Sequence, residues 1–354
     1  MDLRIGVLGN CQAAGFATSF AVLAPQADRV VVRLDTNDKH GDLAGFADAL
    51  ASCDVLFTQP IENGPFGPLA TEHLAPRARR AIILPAFVFR GFHPDRVVLV
   101  PEGSGAPIGP MGPYHSALAM AGFIEGVPVA RLLRLFNGFT YAALGYFDTF
   151  AHDRAFASSW LAPKGYDFDE ITADAPAEFM HSPNHPKLAV LFAIARSALL
   201  RAGIAPRDAP VPRDDFVECC RWPVYPELAR RLGCPGGLDF SVYGRDFTLP
   251  AMLEASYVAY GRAGPAAWGG VAPPAVGRAR AFLREHVLGR PPPPALTAED
   301  VRIAYRFILG RDCESDAVAE WHAAQHDDMA TLRRRLIASA EFGATRATMR
   351  ARSG

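Results

Sequence analysis

Residues 9–12 read GNCQ and follow LRIGVL, a run that reads as a first β-strand. If the strand ends at Leu8 and a helix runs through AAGFATSFAVL, Cys11 lies in the strand-to-helix turn. Free backbone N–H groups and the helix dipole favour an anion there, so the turn stabilises a thiolate. A cysteine of ordinary pKa is only about 3% ionised at pH 7, whereas helix N-termini and cationic neighbours bring the pKa to about 3.5–7.5. The same N–H groups suit an oxyanion hole. Asn10 and Gln12 are placed either to cap the helix or to donate to a substrate carbonyl. The alternative is that Cys11 packs as a small hydrophobe, as free cysteines often do.

A base for such a thiol is sought in HSPNHP, residues 181–186. His185 is expected at the N-terminal edge of a helix over NHPKLAVLFAIARSALLRAG, with Pro186 at its first position and Gly203 at its stop. There the dipole disfavours the imidazolium and leaves a neutral ring able to take a proton near pH 7. Asn184 is placed to orient it, Ser182 stands three residues before it, and His181 is its competitor. Lys187 in the first turn opposes the dipole, a conflict that a ligand phosphate would remove; a solvated surface lysine is the plainer alternative. Arg90 and His93 in FVFRGFHPD follow a strand end, where they meet either an anion or solvent. Gln59 in FTQP follows the third strand, and Tyr114 and His115 in GPYHS open a helix after a Gly/Pro loop, both locations suited to substrate contact. Cys219 and Cys220 lack histidines at ligand spacing, so no metal site is expected. Walker A, G-x-G-x-x-G and G-x-S-x-G patterns are absent from the sequence.

These side chains need a scaffold, and the first hundred residues supply one. LRIGVL, RVVVRL, DVLFTQP, RAIILP and RVVLVP alternate with helical stretches such as DLAGFADALASC. That alternation predicts an α/β fold with a parallel sheet covered on both faces, whose ligands bind beyond the carboxyl ends of the strands. Three such ends, Gly9–Gln12, Thr58–Pro60 and Pro85–Gly91, are expected to face one crevice. From Gly112 to about Leu161 the chain reads as a helical cap broken at Gly126 and Pro128, and from Ile204 to Gly289 as short helices and loops. GRPPPP, residues 289–294, is a stiff polyproline spacer. The expected domains are therefore 1–288, a linker at 289–295 and a small helical domain at 296–348. In the last, Thr297 and Asp300 form a capping pair, and Val301, Ala304, Tyr305 and Ile308 share one face.

Half of the 354 residues are hydrophobic and the net charge is −1, which gives a sizeable core and excludes a polyanion-binding surface, so no nucleic-acid partner is expected. No stretch reaches the roughly 18 apolar residues of a membrane span, and the N-terminus lacks a secretory pattern. Six cysteines, at 11, 53, 219, 220, 234 and 313, show no disulfide framework. A cytoplasmic protein with reduced thiols is the expectation.

Together, GNCQ after strand one, FTQP, LPAFVFRGFHPD, GPYHS and SPNHP before a helix resemble the WcbI-type capsular polysaccharide biosynthesis family over residues 3–203. The resemblance implies an α/β core related to SGNH-type hydrolases, coenzyme A or acetyl-coenzyme A as co-substrate, and acetyl transfer to a sugar of a surface polysaccharide. It puts Cys11 where SGNH-type enzymes have their serine nucleophile and His185 where they have their base. Those enzymes carry an aspartate three residues before the histidine; here the residue is Ser182. IAYRFILGRDCESDAVAEW and RRRLIASAEF, within residues 297–343, resemble a second family, a small helical domain of unknown function with LGR and S-x-E-F motifs. Its motif positions read as packing and capping, so protein interaction and not chemistry is expected of it.

The leading expectation is a coenzyme A dependent acyltransferase acting on a glycan, with Cys11, His185 and Asn184 at the chemistry. Asn10, Gln12, Gln59, Tyr114 and His115 are expected on the substrate, and Arg90 and Lys187 on the co-substrate. A thiol esterase on the same residues, or a carbohydrate- or nucleotide-binding module, are the alternatives. The sequence leaves the acceptor sugar and the oligomeric state, a homodimer included, open.

Overall fold

The computed structural model describes residues 3–34, 42–99, 108–215, 220–263, 273–290, 296–325, 329–339 and 341–343. Cys219, the prolines at 291–294 and the last expected residues, 344–348, lie outside them. The chain divides into two compact units, residues 1–94 with 147–246, and residues 95–146 with 247–354.

The first unit is built on four parallel strands, β1 (Arg4–Gly9), β2 (Asp28–Arg33), β3 (Val55–Thr58) and β4 (Ala81–Ile83), in the order β2-β1-β3-β4. Alternation along β1 sends its side chains to opposite faces. Val7 and its register partner Phe57 lie on one face, where the ring of Phe20 of α1 (Ala13–Leu23) lies tilted 4.5 Å from that of Phe57. Leu8 and Leu56 lie on the other, in a cluster with Ala47 and Leu50 of α2 (Leu43–Ala51). Helices thus cover both faces, as the continuous apolar runs of a parallel sheet require. α3 (Leu188–Arg201) packs against α1 and closes at Gly203, whose φ of +70° ends it as expected.

β2 and β3 flank β1 on opposite sides, so the chain reverses its strand order there. The carboxyl end of β1, the GNCQ turn, is the place where such sheets form a crevice.

Three expectations need correction. The fifth run, RVVLVP, does not extend the parallel sheet: Arg96–Val98 pairs antiparallel with Tyr114–Ser116 in the second unit. Tyr114 and His115 are consequently strand residues, and the helix after them begins at Ala117 because the Ser116 side chain accepts the Ala119 N–H and caps it. The 204–289 stretch also holds more than short helices, with Cys220–Arg221 paired to Asp239–Val242 and a 15-residue helix at Leu249–Ala263. Its apolar residues are scattered among Pro and Gly, which hid their periodicity.

In the second unit, buried Asp95 accepts the Leu118 N–H (3.0 Å) and the Tyr146 hydroxyl (2.8 Å). Glu125 receives Arg280 at 2.9 Å and Arg284 at 3.1 Å, tying the end of the helix Ala117–Ile124 to Pro274–Phe282 and to the turn Leu283–Val287 that continues it. Thr297 and Asp300 form the expected reciprocal cap, and Val301, Ala304, Tyr305 and Leu309 share a buried cluster with Ala319, Leu332 and Leu336. Among the described residues no helix is long and apolar enough to cross a membrane.

Tyr166 fixes the edge of the parallel sheet by donating its hydroxyl to the Ile83 carbonyl, 3.0 Å away, at the end of β4. Burial, only partly offset by Arg201, pushes its phenol up to about 12. The folded-state value is raised, so this stabilisation is present below the ordinary phenol range near pH 10 and is lost as pH rises toward 12. The difference of about two pH units corresponds to about 3 kcal/mol. Between pH 9 and pH 11.5 the stability of Tyr166→Phe to urea should fall by about 2 kcal/mol less than that of the wild type; equal pH dependence of the two proteins would refute the assignment.

Candidate active site

Three strand ends and one hairpin meet at the side chain of Gln12. Its Nε2 donates to the carbonyls of Phe87 (2.7 Å) and Asn184 (3.0 Å), and its Oε1 accepts from the Phe87 N–H (3.0 Å) and from Gln59 Nε2 (3.1 Å). A primary amide has two donors and two acceptor positions, and here all four are used. Gln59 extends the knot by accepting the Asn10 N–H at 2.8 Å and donating to the Pro85 carbonyl at 3.4 Å. Both glutamines are 1% exposed. A side chain at Gly9 would collide with the Gln59 amide, which is why the strand ends in glycine. The expectation that Gln12 and Gln59 donate to substrate therefore gives way: their amides join the protein to itself.

The knot links the three strand ends, although a groove beside them is lined from the first two and not from Pro85–Gly91. The turns after β1, β3 and β4 are joined to one another, and through the Asn184 carbonyl to the HSPNHP segment. A second bond, from the Phe89 N–H to the Pro183 carbonyl at 2.8 Å, holds the same pair of segments together. Cys11 and His185 are each one residue from the Gln12–Asn184 bond, across 172 residues of sequence.

Cys11 is half-buried in the turn between β1 and α1, as its position predicts. Asn10 makes the turn, its Oδ1 accepting the Gln12 N–H at 2.9 Å and lying 3.9 Å from Cys11 Sγ. Asn10 is exposed and is one wall of a groove of about 470 Å³ that also takes in Leu34, Pro60, Ile61, Glu62 and Phe66. That volume falls within the range of small-molecule sites, and its place beyond the strand ends is where an α/β sheet holds ligands.

His185 sits differently from expectation. α3 starts at Leu188, not at Pro186: Met180–Ser182 and His185–Pro186 form a short antiparallel hairpin, and Lys187 caps the helix in an extended conformation, ψ 148°. Asp214 sets this start, because its Oδ2 accepts the Leu188 N–H at 2.9 Å. His185 therefore precedes the helix, and the dipole, which fades within one turn, acts on it less than supposed. The ring is buried, with Nδ1 2.8 Å from Ser182 Oγ. Ser182 Oγ also donates to Asn184 Oδ1 at 3.3 Å. His181, the competitor, pairs through Nε2 with the same Asp214 oxygen at 2.9 Å.

The remaining candidates scatter. Lys187 is paired with Glu178 at 3.2 Å in a largely buried ion pair, so its cation already has an anion. Arg90 is exposed, its backbone N–H held by Asp153, and His93 is buried. Tyr114 and His115 belong to the second unit, where Arg96 stacks on the Tyr114 ring at 3.8 Å and His115 Nδ1 meets the Tyr260 hydroxyl at 3.0 Å. Asp214 was missed; it stands in a Pro-rich stretch 33 residues beyond His181 with no local pattern to mark it. Among the described residues no group of three metal-ligating side chains converges.

A family model described as polysaccharide biosynthesis enzyme WcbI matches residues 4–207. The chain belongs to the WcbI family. The match spans more than half of the chain and includes the GNCQ turn, the glutamine knot, both histidines and α3. Among solved structures, one described as WcbI, a novel polysaccharide biosynthesis enzyme, has the same fold, with a TM-score of 0.58 at 16% identity over 81% of this chain and 96% of that one. Its description adds that it is the native protein without a disulfide bond between coenzyme A and one of its cysteines. No curated protein matches the chain significantly.

Replacing Gln12 by alanine strands the Phe87 N–H, two carbonyls and the Gln59 amide, each buried orphan costing about 1–3 kcal/mol before water relieves some of them. Gln12→Ala should lower the urea midpoint by the equivalent of about 3 kcal/mol or more. Asn10→Ala, which removes a partly exposed turn bond, should cost about 1 kcal/mol; a Gln12 variant no less stable than that would refute the knot's role.

Proposed function

We propose that this WcbI-family protein transfers an acyl group, acetyl being the simplest case, from coenzyme A to a sugar hydroxyl of a polysaccharide or its precursor. The observation that carries the reading is the junction at Gln12: a half-buried thiol and a buried imidazole, far apart in sequence, are tied to adjacent residues at the strand-order reversal, beside a ligand-sized groove. The solved relative's description names coenzyme A together with one of its cysteines, in stating that no disulfide joins them, and this supports a place for the co-substrate's sulfur beside the family's cysteine.

The residues fit such a co-substrate. Pro60, Ile61, Pro65 and Phe66 give an apolar lining, with the amides of Asn10 and Asn63, for a flexible arm, and Cys11 follows Asn10 in the chain. When bound, an acyl-coenzyme A supplies a thioester carbonyl activated toward nucleophiles. His185 takes the proton of the acceptor hydroxyl as its oxygen bonds to the acyl carbon, and returns that proton to the departing thiolate. Cys11 either receives the acyl group first, as an SGNH-type serine does, or lines the sulfur's seat. A cytoplasmic location follows from the use of coenzyme A. The helical segment from Leu296 onward is assigned to protein interaction, in a domain beginning after the 289–295 linker.

Transfer of labelled acetyl from acetyl-coenzyme A to a glycan acceptor tests the reading. His185→Ala should reduce the rate about 10²–10⁴-fold, the usual value of a positioned base. Cys11→Ala abolishes transfer if the acyl group passes through sulfur and spares it if the hydroxyl attacks directly. Hydrolysis of acyl glycans in the absence of any coenzyme A dependence would overturn the proposal in favour of an esterase.

A further inference from the structure

We infer that His185 is positioned by the neutral hydroxyl of Ser182, which fixes its tautomer with the proton on Nδ1 and the lone pair on Nε2. This deepens the reading of His185 as the base in acyl transfer and rests on it for its kinetic arm, but its spectroscopic arm does not depend on any activity.

The argument runs on donors and acceptors. Ser182 and His185 face each other across the hairpin as register partners, and Oγ lies 2.8 Å from Nδ1. A hydroxyl has one hydrogen. Asn184 Oδ1, an acceptor only, lies 3.3 Å from Oγ and takes that hydrogen. Oγ then faces the ring with a lone pair, so Nδ1 carries the ring's proton and donates to it. Nε2 is left as the acceptor, the form a general base needs. Ser182 is fully buried, so no water competes for Oγ.

Asp214 holds His181 and the first N–H of α3 with one oxygen, and Glu178 holds Lys187 at 3.2 Å. The two histidines of HSPNHP therefore differ in the partners named: His181 has the Asp214 carboxylate, which also sets the helix start, whereas His185 has the Ser182 hydroxyl on its Nδ1. Asn184 does double service, its carbonyl accepting from Gln12 and its side chain from Ser182, so that the knot and the base share one residue. Ser182 is on this account a positioning residue, acting through His185.

The test uses the full chain with ¹⁵N-labelled histidine, the His185 signals being assigned with His185→Gln. The two-bond ¹⁵N–¹H spectrum of the wild type should show a protonated Nδ1 and an unprotonated Nε2 at His185. Ser182→Ala should give mixed tautomers and a kcat lower by about 10–100-fold, the range usual for loss of an orienting partner, with KM within twofold. Ser182→Thr, which keeps the hydroxyl, should restore the spectrum and most of kcat. A wild-type spectrum with the proton on Nε2 overturns the inference, as does a Ser182→Ala protein in which tautomer and kcat are both unchanged. A wild type with the expected tautomer that transfers no acyl group to any glycan overturns the acyl-transfer reading and leaves the tautomer assignment standing.

Discussion

One buried amide holds the site together. The turns after three parallel strands have no regular hydrogen-bond partners of their own, since each chain end leaving a sheet must satisfy its backbone groups elsewhere. At Gln12 a single side chain supplies two donors and two acceptors to three other segments, and Gln59 relays the connection to the backbone of Asn10 and Pro85. In a low-dielectric interior such a network is strong when complete and costly when broken, which makes it all or none. The relative placement of the thiol and the imidazole is therefore a property of the glutamine network and not of either reactive side chain.

The sequence revealed the scaffold far better than the wiring. β1, the GNCQ turn and α1 were legible because an apolar run, a turn and a helical period follow each other without interruption, and the Thr297–Asp300 cap was legible because its partners are three residues apart. Arg96–Val98 was misassigned because a strand's own residues state its tendency to extend, not its partner; pairing with Tyr114–Ser116 was decided by a contact the local pattern does not encode. The same limit explains Gln12. An amide beside a candidate nucleophile looks the same on paper whether it faces a ligand or four protein groups, and only the positions of Phe87, Asn184 and Gln59 tell the two apart. Asp214 had no signal at all, and it moved the start of α3 by two residues.

These differences alter the chemistry expected of the histidines. A helix N-terminus was to keep His185 neutral; the hairpin instead places the ring ahead of the helix and gives it a hydroxyl partner. The helix start itself is served by Asp214, an acceptor suited to unsatisfied N–H groups and to the positive end of the dipole. Within five residues the two histidines are thus held by different groups, His181 by the Asp214 carboxylate and His185 by the Ser182 hydroxyl.

Each compact unit is discontinuous: residues 95–146 leave the first unit before it is finished, and residues 147–246 return to complete it. During synthesis the β1 turn emerges early, with its strand and first helix, but the segment that bonds to Gln12 follows more than 170 residues later. Closing so long a loop is entropically unfavourable, and it must occur before the buried carbonyls and amides there find partners. Until that segment has been made, the Gln12 amide lacks its Asn184 partner and the GNCQ and HSPNHP segments are not joined through it. The Gln12–Asn184 bond thus joins the two stretches of the first unit that flank residues 95–146, and its presence reports that the unit has closed.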